Sequence, residues 1–287
     1  MDYQEHRINQ GQGNLLVRDY PGAGPAYVAL HGFPDNLHIF DEWAPLMAKA
    51  GRRVVTFDFL GFGGSDKSPQ FTYSFEQQLT DLEAVVDVLN LEQIVPVAHD
   101  AGGPTAVNFA LKHPDKTSSV CLFNCFYGTA PTLKLPEFIE LFATTSLSAM
   151  TKAMVTDPKE FAWILNFQRG QFKTGLSELQ AKHYEEFLAP IIDGNFRQTP
   201  SAGLAFARVT GELFAEVQRN DARLPALKRL NIPFQLVWGE VDPYLNTGVA
   251  QDLVAKLANA TLVTIAAGHW PQIDAPEEVV KAMLAAG

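Results

Sequence analysis

Short, wholly apolar runs alternate with longer stretches of helical spacing, and few architectures accept such a chain. Ala26-Tyr27-Val28-Ala29-Leu30, Val54-Val55-Thr56-Phe57, Ile94-Val95-Pro96-Val97-Ala98 and Val120-Cys121-Leu122-Phe123 read as buried strands. Leu37 to Ala50, Ser74 to Leu89 and Pro104 to Lys112 read as the helices between them. Ser74 is placed to cap the second helix, with Glu76 and Gln77 close behind. Strands this apolar belong in a mostly parallel central sheet covered on both faces, so the chain is expected to be of the α/β class.

The alternation stops near Tyr127. From there to Leu227 the sequence is helical or irregular, rich in Phe, Gln and Ala. It resumes with a strand at Phe234-Gln235-Leu236-Val237-Trp238, a helix from Thr247 to Leu257, a strand at Thr261-Leu262-Val263-Thr264-Ile265 and a last helix after Pro276. The expected organisation is a core of residues 1–126 and 228–287, with residues 127–227 inserted as a helical cap. In open α/β sheets ligands bind beyond the carboxyl ends of the strands, so an insertion there covers the site.

A chain of 287 residues with 47% hydrophobic content has material for a large core. Its formal net charge of −10, with Lys and Arg scattered, argues against nucleic acid and anionic membrane surfaces as partners. Cys121 and Cys125 fall on one expected strand, roughly 13 Å apart, too far to form a disulfide. The polar opening, Met1 to Gly13, has no basic start followed by an apolar run, and a cytoplasmic location is expected. A monomer or small homo-oligomer is expected.

The chemistry gathers at strand ends. The strand ending at Ala98 runs into His99-Asp100-Ala101-Gly102-Gly103 and then directly into a helix. That is the shape of a nucleophile elbow, with Asp100 where a serine often sits. Asp is also a good helix cap, the plainer explanation for the residue taken alone. His31-Gly32-Phe33-Pro34 follows the first buried strand and can present the Phe33 N–H, which with that of Ala101 would form an oxyanion hole. His31 itself reads better as a structural histidine. Late in the chain, Gly268-His269-Trp270 follows a strand and places His269 as the base. Gly239-Glu240-Val241-Asp242-Pro243 follows another. Glu240 competes for the acid role, but Asp242, later in the turn, is better placed to orient His269.

Together with Asp58-Phe59-Leu60-Gly61-Phe62-Gly63-Gly64-Ser65-Asp66 and Pro104, these motifs resemble the haloalkane dehalogenase and epoxide hydrolase branch of the α/β-hydrolase fold family, over nearly the whole chain. The resemblance implies Asp100 as nucleophile, His269 and Asp242 as its partners, Phe33 and Ala101 as oxyanion-hole donors, and a helical cap. A carboxylate, ionised at neutral pH with a reference pKa of ~3.9, can displace a leaving group from saturated carbon. The resulting ester is hydrolysed with His269 activating water. Such chemistry needs no metal or organic cofactor, only a small apolar substrate and water.

The chain departs from each substrate signature of the branch. Ala101 stands where haloalkane dehalogenases carry a halide-binding Trp, and Phe33 where they often carry Asn. In segments resembling those that carry the two cap tyrosines of epoxide hydrolases, Trp163 and Ala207 take the tyrosine positions. The Phe33-Pro34-Asp35-Asn36-Leu37-His38 stretch resembles haloacetate dehalogenases, but Pro104 and Val107 replace their carboxylate-holding arginines. Trp163 is then the expected leaving-group donor, with Phe167 beside it in an apolar pocket and Tyr127 and Tyr184 as alternative acids. This tips the expectation toward hydrolytic dehalogenation of small organohalides, ahead of epoxide opening. A non-catalytic ligand-binding protein of the same fold is the alternative of another class.

Overall fold

The computed structural model describes residues 2–285. Among these residues eight strands form one sheet in the order β1-β2-β4-β3-β5-β6-β7-β8. They are β1 (Gln4–Asn9), β2 (Asn14–Tyr20), β3 (Ala23–Leu30), β4 (Arg52–Phe57), β5 (Ile94–Asp100), β6 (Val120–Cys125), β7 (Phe234–Gly239) and β8 (Ala260–Ile265). From β4 through β3 to β8 every pairing is parallel, whereas β2 is antiparallel to both β1 and β4. All six residues of β6 are buried, so both faces of the sheet are covered there. This is the mostly parallel α/β sheet expected from the apolar runs.

The flanking helices are α1 (Trp43–Lys49), α2 (Phe75–Val88) and α3 (Gly102–Lys112) before the insertion, and α11 (Thr247–Lys256), α12 (Pro271–Asp274) and α13 (Pro276–Ala285) after it. The Ser74 hydroxyl accepts the Gln77 N–H at 3.0 Å and caps α2, as its sequence suggested. The expected helix from Leu37 to Ala50 is instead a 3-10 turn at Leu37–Phe40 followed by α1. Pro45 explains the restart: lacking an N–H, it is tolerated in the first turn of α1 but not deep inside a longer helix. Cys121 and Cys125 are free, buried thiols.

Among the described residues seven α-helices lie between β6 and β7, besides a 3-10 turn at Thr145–Leu147 and a π-helical turn at Tyr184–Leu188: α4 (Glu137–Ala143), α5 (Ser148–Thr156), α6 (Pro158–Phe172), α7 (Glu178–His183), α8 (Ala189–Arg197), α9 (Gly203–Gly211) and α10 (Leu213–Leu227). Phe142, Phe161, Phe196 and Phe206 pack together inside this layer, with ring centroids 4.4 to 6.3 Å apart. Phe206 meets Phe33 edge-on at 6.3 Å, and Phe172 lies over His269 at 4.9 Å. The inserted helices therefore roof the carboxyl ends of the strands. Among the described residues no helix is long and apolar enough to cross a membrane.

Candidate active site

Asp100 ends β5 with a left-handed φ of 48°. Asp tolerates that region better than most residues, but the conformation still costs about 1–3 kcal/mol and is typical of residues held for function. It lifts the carboxylate above the sheet while α3 starts two residues later. A Cβ on Gly102 would lie 2.7 Å from the Leu30 carbonyl, so this close approach of helix to strand requires glycine. The same holds at Gly32, where a Cβ would sit 2.5 Å from the Asp100 Cβ and Oδ2. Without it, the Phe33 N–H could not reach Asp100.

The two Asp100 oxygens differ in environment. Oδ2 accepts the Phe33 N–H at 2.9 Å. Oδ1 faces the His269 ring, 4.0 Å from Nε2. On the far side of that ring Nδ1 is 2.7 Å from Asp242 Oδ2. Because Nδ1 donates there, Nε2 is the nitrogen available toward Asp100. Asp242 is fully occupied as an acceptor. Its Oδ1 takes the N–H groups of Tyr244 and Leu245 at 2.9 and 3.1 Å, and Oδ2 also takes the Asn124 side chain at 2.9 Å. Glu240, the competing acid, instead accepts the Thr264 hydroxyl at 2.8 Å on the exposed side of the loop.

Burial disfavours the His269 imidazolium. The carboxylates of Asp242, and then Asp100 and Asp35, outweigh it and raise the pKa to about 9. Burial likewise works against ionised Asp242, but the imidazolium of His269 and the N–H donors around the carboxylate hold it below the usual range.

A second layer supports the His269 loop. Trp270 Nε1 donates to Asp35 Oδ2 at 2.9 Å. His99 Nε2 is 2.8 Å from the His269 carbonyl, which can only accept, so that nitrogen carries the proton. His31 is buried with Nδ1 against the Gly32 carbonyl and Nε2 accepting the Phe59 N–H, the structural arrangement expected of it.

Phe33, Asp100, Ala101 and His269 share one cavity, walled by Phe126, Phe138, Ile139, Leu213 and Tyr244, with Lys134 at its edge. About 30 Å³ of it is open to water, room for one or two molecules. A second chamber, about 20 Å³, shares Phe33, Phe138 and Phe172 and is lined by Tyr184. Among the described residues, no group of three or more His, Cys, Asp or Glu side chains is placed to hold a metal ion.

The residues expected to handle the leaving group are not brought together. Trp163 and Phe167 lie one turn apart on the outer face of α6, stacked at 6.0 Å and 66% and 41% exposed. Residues i and i+4 share a helix face, and here that face points to solvent while Phe161, Leu165 and Phe172 point inward. Tyr127 lies outside the cavity wall, its hydroxyl donating to Asn108 on α3 at 2.9 Å. Tyr184 packs edge-on against Trp270 at 5.5 Å in the second chamber.

The phenol in the cavity wall is Tyr244, which sequence reading passed over. Its hydroxyl donates to Glu137 at 2.6 Å and accepts from Gln168 at 2.6 Å. Asn124 was missed too, although a lone amide at the carboxyl end of an otherwise apolar strand was a usable signal.

A strained carboxylate, an imidazole and a second carboxylate above a mostly parallel sheet, roofed by inserted helices, make a hydrolase-type site. The chain belongs to the α/β hydrolase fold family, whose family model matches residues 25–276. It is 38% identical over 125 residues to a fluoroacetate dehalogenase from a Burkholderia species, covering 42% of this chain and 40% of that one. It is also 38% identical over 138 residues to epoxide hydrolase B of Mycobacterium tuberculosis, covering 46% and 39%. Each match spans about two fifths of the relative's length. The resemblance read from the motifs, to the branch of dehalogenases and epoxide hydrolases, is thus matched by relatives named as one of each. A thermophilic esterase from Thermogutta terrifontis has the same fold, with a TM-score of 0.76 at 19% identity over 99% of this chain and 97% of that one.

Proposed function

We propose that this chain is a cofactor-independent hydrolase that forms a covalent alkyl ester on Asp100. The reading rests chiefly on the unequal environments of the two Asp100 oxygens: Oδ2 is bound by the Phe33 N–H and Oδ1 is left facing His269 and the cavity. Oδ1 attacks a saturated carbon and the leaving group departs with the bonding electron pair. Water then adds to Asp100 Cγ, giving up a proton to His269 Nε2. Negative charge develops on Oδ2, where Phe33 and Ala101 N–H groups act as the oxyanion hole. Collapse releases the alcohol, which takes the proton from His269, and the regenerated carboxylic acid loses its proton to solvent. Asp242 holds the imidazole in register and stabilises its charged form.

The pKa of His269 fits this order of events. While Asp100 is a carboxylate it helps keep His269 protonated. Ester formation removes that charge, so the imidazolium gives up its proton to solvent more readily and the neutral ring is available as base at the step that needs one.

The small cavity, walled mostly by apolar side chains, favours a small apolar substrate, and the leaving group we propose is halide. A halide needs only donors around it, whereas an epoxide oxygen needs an acid, and neither Tyr127 nor Tyr184 lines the Asp100 cavity. Epoxide opening is kept as a second reading because the Tyr244 phenol does line it. The inserted helices act as the cap. A single turnover in ¹⁸O-water with enzyme in excess tests the covalent route: label should enter the Asp100 carboxylate. Label in the alcohol alone would mean that water attacks the substrate directly.

A further inference from the structure

Asn195, on α8 of the inserted helices, is fully buried and engages the core on both ends of its amide. Nδ2 donates to the carbonyls of Pro34 at 2.7 Å and Asp35 at 2.8 Å. Oδ1 accepts the Gly63 N–H at 2.9 Å and lies 3.4 Å from Asn36 Nδ2. Both amide donors and the carbonyl acceptor are used, so the side chain has one orientation that satisfies every atom. Its partners lie on loops 132 to 161 residues away in sequence. The Asn195 backbone carbonyl meanwhile accepts the Ala202 N–H at 2.8 Å, anchoring it in its own layer.

The two carbonyls Asn195 holds belong to the residues directly after Phe33. Gly32 to Asp35 form a tight turn closed by the Asp35 N–H on the Gly32 carbonyl at 3.2 Å, and the Phe33 N–H points inward from it to Asp100 Oδ2. Asn195 grips the outer side of that turn. The Asp35 side chain, from the same turn, holds Trp270 next to His269.

We propose that Asn195 is a positioning residue for the oxyanion hole, so that hydrolysis of the ester on Asp100 depends on a cap side chain outside the Asp100 cavity wall. Asn195 fixes the peptide planes on either side of Asp35. The Asp35 N–H passes that constraint to the Gly32 carbonyl, which shares a peptide plane with the Phe33 N–H and so sets its direction. A seated cap and a formed oxyanion hole are then one event. The inference rests on the proposed covalent route, and its tests separate the two.

The first test uses Asn195→Ala with His269 intact, on an organohalide or epoxide that the unmodified enzyme turns over. We expect kcat to fall 10- to 100-fold and KM to fall with it, since ester formation needs the oxyanion hole less than ester hydrolysis does. Acid quenching during turnover followed by intact-protein mass measurement should show the alkyl ester accumulating. A kcat/KM that falls in proportion to the folded fraction, with no ester, would make Asn195 a stability residue and overturn the proposal. The second test needs no substrate. Hydrogen–deuterium exchange over residues 32–37 should quicken in Asn195→Ala and in the isosteric Asn195→Asp, while residues 238–246 keep their protection. Unchanged exchange over 32–37 would overturn the proposal. Failure of the covalent route itself would appear elsewhere, as a His269→Phe enzyme that traps no adduct.

Discussion

His269 Nε2 lies 4.0 Å from Asp100 Oδ1, while the other oxygen of that carboxylate is held by the Phe33 N–H at 2.9 Å. The imidazole therefore sees the negative charge of Asp100 directly, and its protonation is tied to whether that carboxylate is free. Asp100→Asn should lower the His269 pKa from about 9, measured by NMR titration of the ring protons. An unchanged value would separate the two groups electrostatically and remove the coupling proposed between ester formation and base activation. The same pKa sets a stability window. A histidine raised in the folded state stabilises fully below its unfolded value near 6.5, and that contribution is lost as pH rises through about 9. Melting temperatures of the unmodified protein should fall across this interval, and Asp100→Asn should shift its upper end downward.

Gly32→Ala should cost ~10²–10³ in turnover, the scale for losing one oxyanion-hole donor. The added Cβ would meet Asp100 Cβ and Oδ2 at 2.5 Å and push the Phe33 N–H off the carboxylate. Steady-state kinetics on a protein with native circular dichroism checks this, and near-normal turnover would remove Phe33 from the mechanism.

Trp163 and Phe167 face solvent, so replacing both by Ala should change kcat/KM less than twofold on any substrate the enzyme accepts, within the ordinary reach of surface substitutions. A loss of tenfold or more would show that α6 turns this face inward during turnover.

Tyr244→Phe separates the two leaving groups. Removing the hydroxyl takes an acceptor from buried Gln168 and a donor from Glu137, a cost of about 1–2 kcal/mol in chemical denaturation. Halide displacement should survive it. If the substrate is an epoxide and this phenol protonates the alkoxide, turnover should drop by ~10²–10⁴, the scale of general acid catalysis.

Much of this arrangement was legible in the chain because parallel strands buried on both faces must be apolar throughout. β5, β6 and β7 could therefore be read as plain runs, and the ends of β5, β7 and β8 pointed to Asp100, Asp242 and His269. β1 and β2 were not legible. They form the antiparallel edge, and β1 is mostly exposed and polar, with Ile8 its one buried residue. The inserted helices were legible as helices but not in rotation. Trp163 and Phe161 are two residues apart, yet one is on the surface and the other inside. Which of several similar apolar faces turns inward is settled by packing between helices, and no local spacing carries that information. Tyr244 and Asn195 escaped notice for a related reason: each acquires its role from partners more than seventy residues away.

The most direct test of the central claim is the intact mass of His269→Phe after incubation with small organohalides and epoxides. With the base removed, an ester on Asp100 should form and persist. Its added mass should equal the alkyl group alone for a halide, or the whole substrate for an epoxide, and peptide mapping should place it on Asp100. The absence of any adduct, or an adduct that still forms in His269→Phe combined with Asp100→Asn, would contradict Asp100 as the nucleophile.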